Sequence, residues 1–124
     1  MLKIENMYWE LMNNEIRRVF VDDSSRETTI TTAFRSIQNK LVFKNVAWNQ
    51  DVMSLRGSLI NYAEKVSEEG VSEDDMEDLR DGFIENFDYE FLTRTGLNLY
   101  RIVCNKNTKS VLFVAEDMEI VING

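Results

Sequence analysis

The sequence predicts an α+β domain: about four helices followed by a small C-terminal antiparallel β-hairpin or three-stranded sheet, with the helices packed on one sheet face. Three observations predict it. Apolar residues recur at three- and four-residue spacing as far as Phe87. That period then gives way to apolar-rich runs over residues 97–104 and 111–115. No proline interrupts the chain, where average usage would supply about six, and its absence suits long helices.

The first helix is expected over residues 3–20, with Ile4, Met7, Tyr8, Leu11, Met12, Ile16, Val19 and Phe20 at helical spacing, although the β-prone Val19-Phe20-Val21 could leave as a short strand. Ser24-x-x-Glu27 has the form of a capping box, and Ile30, Ala33, Phe34, Ile37 and Leu41 form the stripe of a second helix from about residue 25 to 42. Its threonines at 28, 29, 31 and 32 are poor helix formers. Residues 44–48 form a connection to Asn49 or Asp51, either able to cap a third helix marked by Val52, Leu55, Leu59, Tyr62, Ala63 and Val66 and ended by Gly70. Ser72 caps the fourth, with Met76, Leu79, Phe83 and Phe87 on one face and acid in its first turn. Beyond it, Phe87-x-Tyr89-x-Phe91 alternates like an edge strand. Residues 97–104 and 111–115 read as strands about the polar turn 105–109, and Met118 to Ile122 as a third strand or a bulged continuation. No repeat, low-complexity tract or domain boundary divides residues 1–124, which are expected to form a single globular domain.

Composition limits the chemistry. There is no histidine, which excludes Ser-His-Asp and Cys-His nucleophile systems and His-ligated metal sites. The one cysteine, Cys104, alternates with apolar neighbours and reads as a small buried hydrophobe; thiolate metal clusters and an internal disulfide fall away with it. The five glycines are scattered, so no phosphate-binding loop exists. Asp117-x-Glu119 resembles half of a carboxylate–magnesium nuclease site, but Ile120 and Val121 stand where such sites often place a lysine. The expectation is a protein that is not an enzyme and needs no cofactor or metal. No apolar stretch approaches a membrane span, and the start Met1-Leu2-Lys3-Ile4-Glu5-Asn6 lacks the plan of a secretory signal, which points to the cytoplasm.

Charge is the feature that speaks to function. Between Glu64 and Glu90 lie twelve carboxylates against Lys65 and Arg80, a formal −10 in a chain of net −8. The flanking parts are each close to neutral. An EF-hand order is absent around Gly70, which excludes that calcium loop. Two readings stand: a solvated face, or a docking face for a basic protein surface. Carboxylates at 74/78, 77/81 and 81/85 would lie one helical turn apart, a spacing comparable to successive phosphates of a nucleic acid. The expected partner-binding residues are Glu73, Asp74, Asp75, Glu77, Asp78, Asp81 and Glu85, with Trp48 as an interface anchor if it is exposed and a core anchor otherwise. Arg17, Arg18, Arg26, Arg35, Lys40 and Lys44 alternate with acids and form no patch for direct nucleic-acid binding.

The sequence therefore points to a small acidic binding protein, in its sharper form an inhibitor or modulator of a nucleic-acid-handling protein acting by charge mimicry. Small viral or mobile-element regulators share this size and acidity, a likeness of composition only. The alternative is an assembly subunit that forms a homo-oligomer through exposed apolar helix surface, with Trp9 and Trp48 the aromatic positions to watch.

Overall fold

The computed structural model describes residues 7–123. Residues 1–6, and with them the expected helical position of Ile4, lie outside the described residues, as does Gly124. The fold corrects the predicted one. The described residues form a seven-stranded antiparallel sheet with two helices, in the order β1 (Met7–Tyr8), β2 (Glu15–Asp22), β3 (Glu27–Phe34), β4 (Ile37–Asn49), β5 (Ile60–Lys65), α1 (Glu73–Gly82), α2 (Tyr89–Thr95), β6 (Asn98–Cys104) and β7 (Lys109–Ile122). The first two predicted helices are strands. The third is a 3-10 turn at Val52–Leu55, strand β5 and a second 3-10 turn at Glu68–Gly70. The fourth is real.

Strand order across the sheet is β1-β5-β6-β7-β4-β3-β2. Its two ends meet. Asn13 N donates to Ile60 O and Ile60 N to Asn14 O, while Ile16 N donates to Ser58 O and Gly57 N to Ile16 O. β1 and the start of β2 thus run along the same side of β5, interrupted by the turn at residues 9–13, and the sheet closes into a barrel.

Closure gives each strand an inner and an outer face. Ile16, Ile30, Leu41, Phe43, Tyr100, Ile102, Cys104, Val111, Phe113 and Ala115 fill the interior, with Leu11, Val52 and Leu55 added from the connections. Phe43 and Phe113 stack there at 3.9 Å between centroids. One buried polar cluster is included: Thr32 Oγ1 and Asn39 Nδ2 both donate to Asn14 Oδ1 at 2.9 Å, and Asn39 Oδ1 accepts from Asn123 N. A second core lies outside the barrel, where Leu99, Leu112 and Val114 of β6 and β7 meet Leu79 of α1, Leu92 of α2, Val66 and Phe87. β6 and β7 are therefore covered on both faces, which is why residues 111–115 form an unbroken apolar run.

Three β-bulges decide which residues face where. The one between Ile16 and Arg18 keeps both Ile16 and Val19 inward, and the one between Ile60 and Tyr62 does the same for Ile60 and Ala63. The third, in β4, follows Val46, which points into the barrel opposite Ala115; two residues on, Trp48 lies opposite Val114 and points out, against the helices.

Candidate functional site: the acidic helix face

α1 begins where the sequence places it. Ser72 Oγ accepts from Asp75 N, and Asp75 Oδ2 accepts from Ser72 N, both at 3.0 Å, a complete capping box. Three acids in the first turn favour the positive end of the helix dipole. Leu79 is fully buried, and Met76 and Phe83 pack beside it on the outer face of the barrel. The helix ends at Gly82, which lies flat on Trp48: a Cβ there would stand 3.1 Å from the indole ring. Arg80 Nε donates to Phe87 O at 3.2 Å and holds the turn that follows.

The expected edge strand over Phe87-x-Tyr89-x-Phe91 is instead that turn and α2. Asp88 caps the helix by accepting from Phe91 N at 2.9 Å, and Gly96 ends it in the left-handed conformation, φ +72°. Tyr89 Oη donates to Val66 O at 2.6 Å, and burial, followed by Glu68 and Glu69, raises its pKa.

The carboxylates of α1 divide into two groups. Asp75 is turned inward. Arg101 of β6 holds Asp75 on one side and Glu64 on the other, the latter at 3.1 Å, so that a single guanidinium pins α1 to the sheet. Asp78 accepts from Gln50 Nε2 at 2.9 Å, while Gln50 Oε1 accepts from Leu112 N, a second strut to β7. Both side chains tie the helix to the barrel, Asp78 while remaining exposed. Glu73, Asp74, Glu77 and Asp81 are exposed, as is Glu85 in the turn beyond the helix, and no salt bridge reaches any of them among the described residues. Because α1 stops at Gly82, Asp81 and Glu85 are not one helical turn apart; the regular spacing holds for Asp74 and Asp78 and along Glu73, Glu77 and Asp81. Along this side runs an open groove of about 480 Å³, with Val71 and Met76 as its apolar lining and Glu73, Glu77, Asp81 and Arg80 as its charged neighbours.

Trp48 lies in β4, not in a connection. It is half-buried, 6.0 Å from the Phe83 ring, and anchors α1 on the barrel. Its ring lies against Gly82, next along the chain from Asp81. Sequence reasoning missed Arg101, Glu64 and Gln50. A signal for Arg101 existed, since an arginine within an apolar strand run needs charged partners.

The remaining candidates are accounted for locally. Glu119 pairs with Lys44 at 2.9 Å, which places an ammonium beside the Asp117-x-Glu119 carboxylates and raises the Lys44 pKa. Among the described residues, no group of three or more His, Cys, Asp or Glu side chains could hold a metal ion. Cys104 is fully buried, and desolvation pushes its thiol up to about 11. No helix of the described residues is long and apolar enough to cross a membrane. Comparison with protein-family models, curated proteins and solved structures finds no match to this chain.

Proposed function

We propose that this chain is a small, non-enzymatic binding protein whose α1 docks on a basic protein surface. The observation that carries the reading is the outward row Glu73, Asp74, Glu77 and Asp81, continued by Glu85, charges that no salt bridge reaches among the described residues, Arg80 of the same helix included, while Asp75 and Asp78 tie the helix down. A rigidly mounted row of like charge repels nucleic acid and attracts cationic surfaces. The adjoining groove suits a lysine or arginine from the partner, its methylenes against Val71 and Met76 and its head group among Glu73, Glu77 and Asp81, three carboxylates against the one Arg80, whose Nε is engaged by Phe87 O. In the sharper form of the reading, the partner's basic surface is one that handles nucleic acid, and the helix occludes it.

The test is a set of reversals that avoids the two structural carboxylates. Changing Asp74, Glu77 and Asp81 to Lys leaves the Arg101 clamp and the Gln50 strut in place, so the fold should survive. With a partner captured from host lysate and eluted by salt, the wild-type on-rate should fall steeply with ionic strength, and the triple variant should bind at least about tenfold more weakly. Equal affinities and a flat salt dependence would leave the row as solvated surface and refute the proposal.

A further inference from the structure

The barrel closes along only part of β2. From Arg17 onward the strand leaves β5, and among the described residues no backbone hydrogen bond reaches the edge of Arg17–Asp22 turned away from β3. Alternate N–H and C=O groups on such an edge are free to pair with another strand. Charged side chains commonly block a free edge against a like copy, but here charges of both signs are placed symmetrically about Phe20. Arg18, Phe20 and Asp22 follow one another on the outer face, opposite Thr31, Thr29 and Glu27 of β3. Phe20, 59% exposed, is the most exposed large apolar side chain described.

We infer that this edge pairs with the same edge of a second copy, antiparallel and centred on Phe20, extending the two sheets into one. A two-fold axis perpendicular to the sheet keeps outer face with outer face. The register centred on Phe20 then sets the two Phe20 rings side by side and places Arg18 of each copy opposite Asp22 of the other, with Val19 opposite Val21. Any partner could use the free backbone. The order of cation, aromatic ring and anion along one face is what makes the edge complementary to itself.

Two further features agree. Arg18 has no salt-bridge partner among the described residues, and Asp22 uses only Oδ1 in its turn, accepting from Ser24 N, Ser24 Oγ and Ser25 N, so Oδ2 is left for a cation. Those bonds also lower the Asp22 pKa. β2 stands across the barrel from β7, whose outer face lies under the helices, so pairing buries a nearly neutral flank and leaves the acidic α1 of each copy outward. The inference does not depend on the function proposed above.

Sedimentation equilibrium of the whole chain tests it. An edge of six residues is short, and the dissociation constant should be on the order of 100 μM. R18E and D22K each set like charges opposite one another twice, and each should lower the association constant at least about tenfold. Mixed, the two variants are complementary again, and the mixture should recover a dimer that neither forms alone. F20K, at an exposed position outside both cores, should also be monomeric, and it carries the test with R18E if loss of the Asp22 turn keeps D22K from folding. A wild-type chain that stays monomeric up to about 1 mM would overturn the inference. So would R18E or F20K dimerising like wild type, or a mixture of folded R18E and D22K no more associated than its components.

Discussion

Replacing Arg101 with methionine should loosen α1 without collapsing the barrel. The guanidinium serves two carboxylates at once, and all three side chains are largely withdrawn from water: 16% exposed for Arg101, 18% for Glu64 and 15% for Asp75. Methionine fills similar volume but leaves two negative charges facing each other without a cation. Breaking a fully buried pair costs about 3–5 kcal/mol, and the residual exposure here brings the expectation to about 2–3 kcal/mol. For a domain of this size that corresponds to a fall in Tm of about 10 °C. Urea unfolding followed by circular dichroism measures the loss. Hydrogen exchange should place it, with α1 amides losing protection before those of β4, β6 and β7. A cycle with D75N isolates the pair, because asparagine can still accept from Ser72 N; a coupling of about 1–2 kcal/mol is expected. A loss below about 0.5 kcal/mol for R101M, or additive effects in the cycle, would refute the clamp and return Asp75 to the solvated row.

Alkaline titration and the interior cluster supply two further predictions. Burial pushes Cys104 up to about 11 and Tyr100 up to about 12, so the folded chain keeps protons that the unfolded chain releases from about pH 9 and 10 upward. Both contributions are whole below those values and disappear as pH rises, a loss of at most about 3 kcal/mol each; C104V should remove the earlier part of the decline, and an unchanged pH profile in that variant would count against its origin. Asn14→Ala should cost about 2–3 kcal/mol in urea unfolding, because the Asn39 amide is left without its acceptor and Thr32 keeps only a long contact to Asn39 O. A change below about 1 kcal/mol would mean that water replaces the lost oxygen.

How much could be read in advance depended on whether a strand was regular. β6 and β7 were legible because both faces are covered and their apolar runs are continuous. α1 was legible from Ser72 and the stripe Met76, Leu79 and Phe83. The N-terminal half misled because its bulges change the spacing of inward residues from two to three. Ile16 and Val19 then look like neighbours on a helix, while the stripe through Leu59, Tyr62 and Ala63 passed over the inward Ile60. The run Thr28, Thr29, Thr31 and Thr32 carried the contrary signal: β-branched residues fit a pleated strand better than a helix. α2 was obscured by aromatic alternation, although Asp88 and Gly96 mark its two ends. For the site, the acidic row was visible as composition. Which carboxylates are free was not, because Asp75 and Asp78 find Arg101 and Gln50 only through the tertiary fold.

The order in which the barrel is synthesised differs from the order in which it can be assembled. Among the described residues β7 is the last strand in sequence and the middle one in the sheet, between β6 and β4. Its longest seam joins Asn39 to Ile122 at one end and Asn49 to Phe113 at the other. Until residues 109–122 leave the ribosome, the β2–β3–β4 meander has no strand beside β4, and Leu41 and Phe43 face an interior that still lacks Val111, Phe113 and Ala115. Contacts so distant in sequence close slowly. A chain arrested within the 105–108 turn therefore presents an unpaired β4 edge and an open apolar trough, the kind of surface that chaperones hold and that aggregates when they do not.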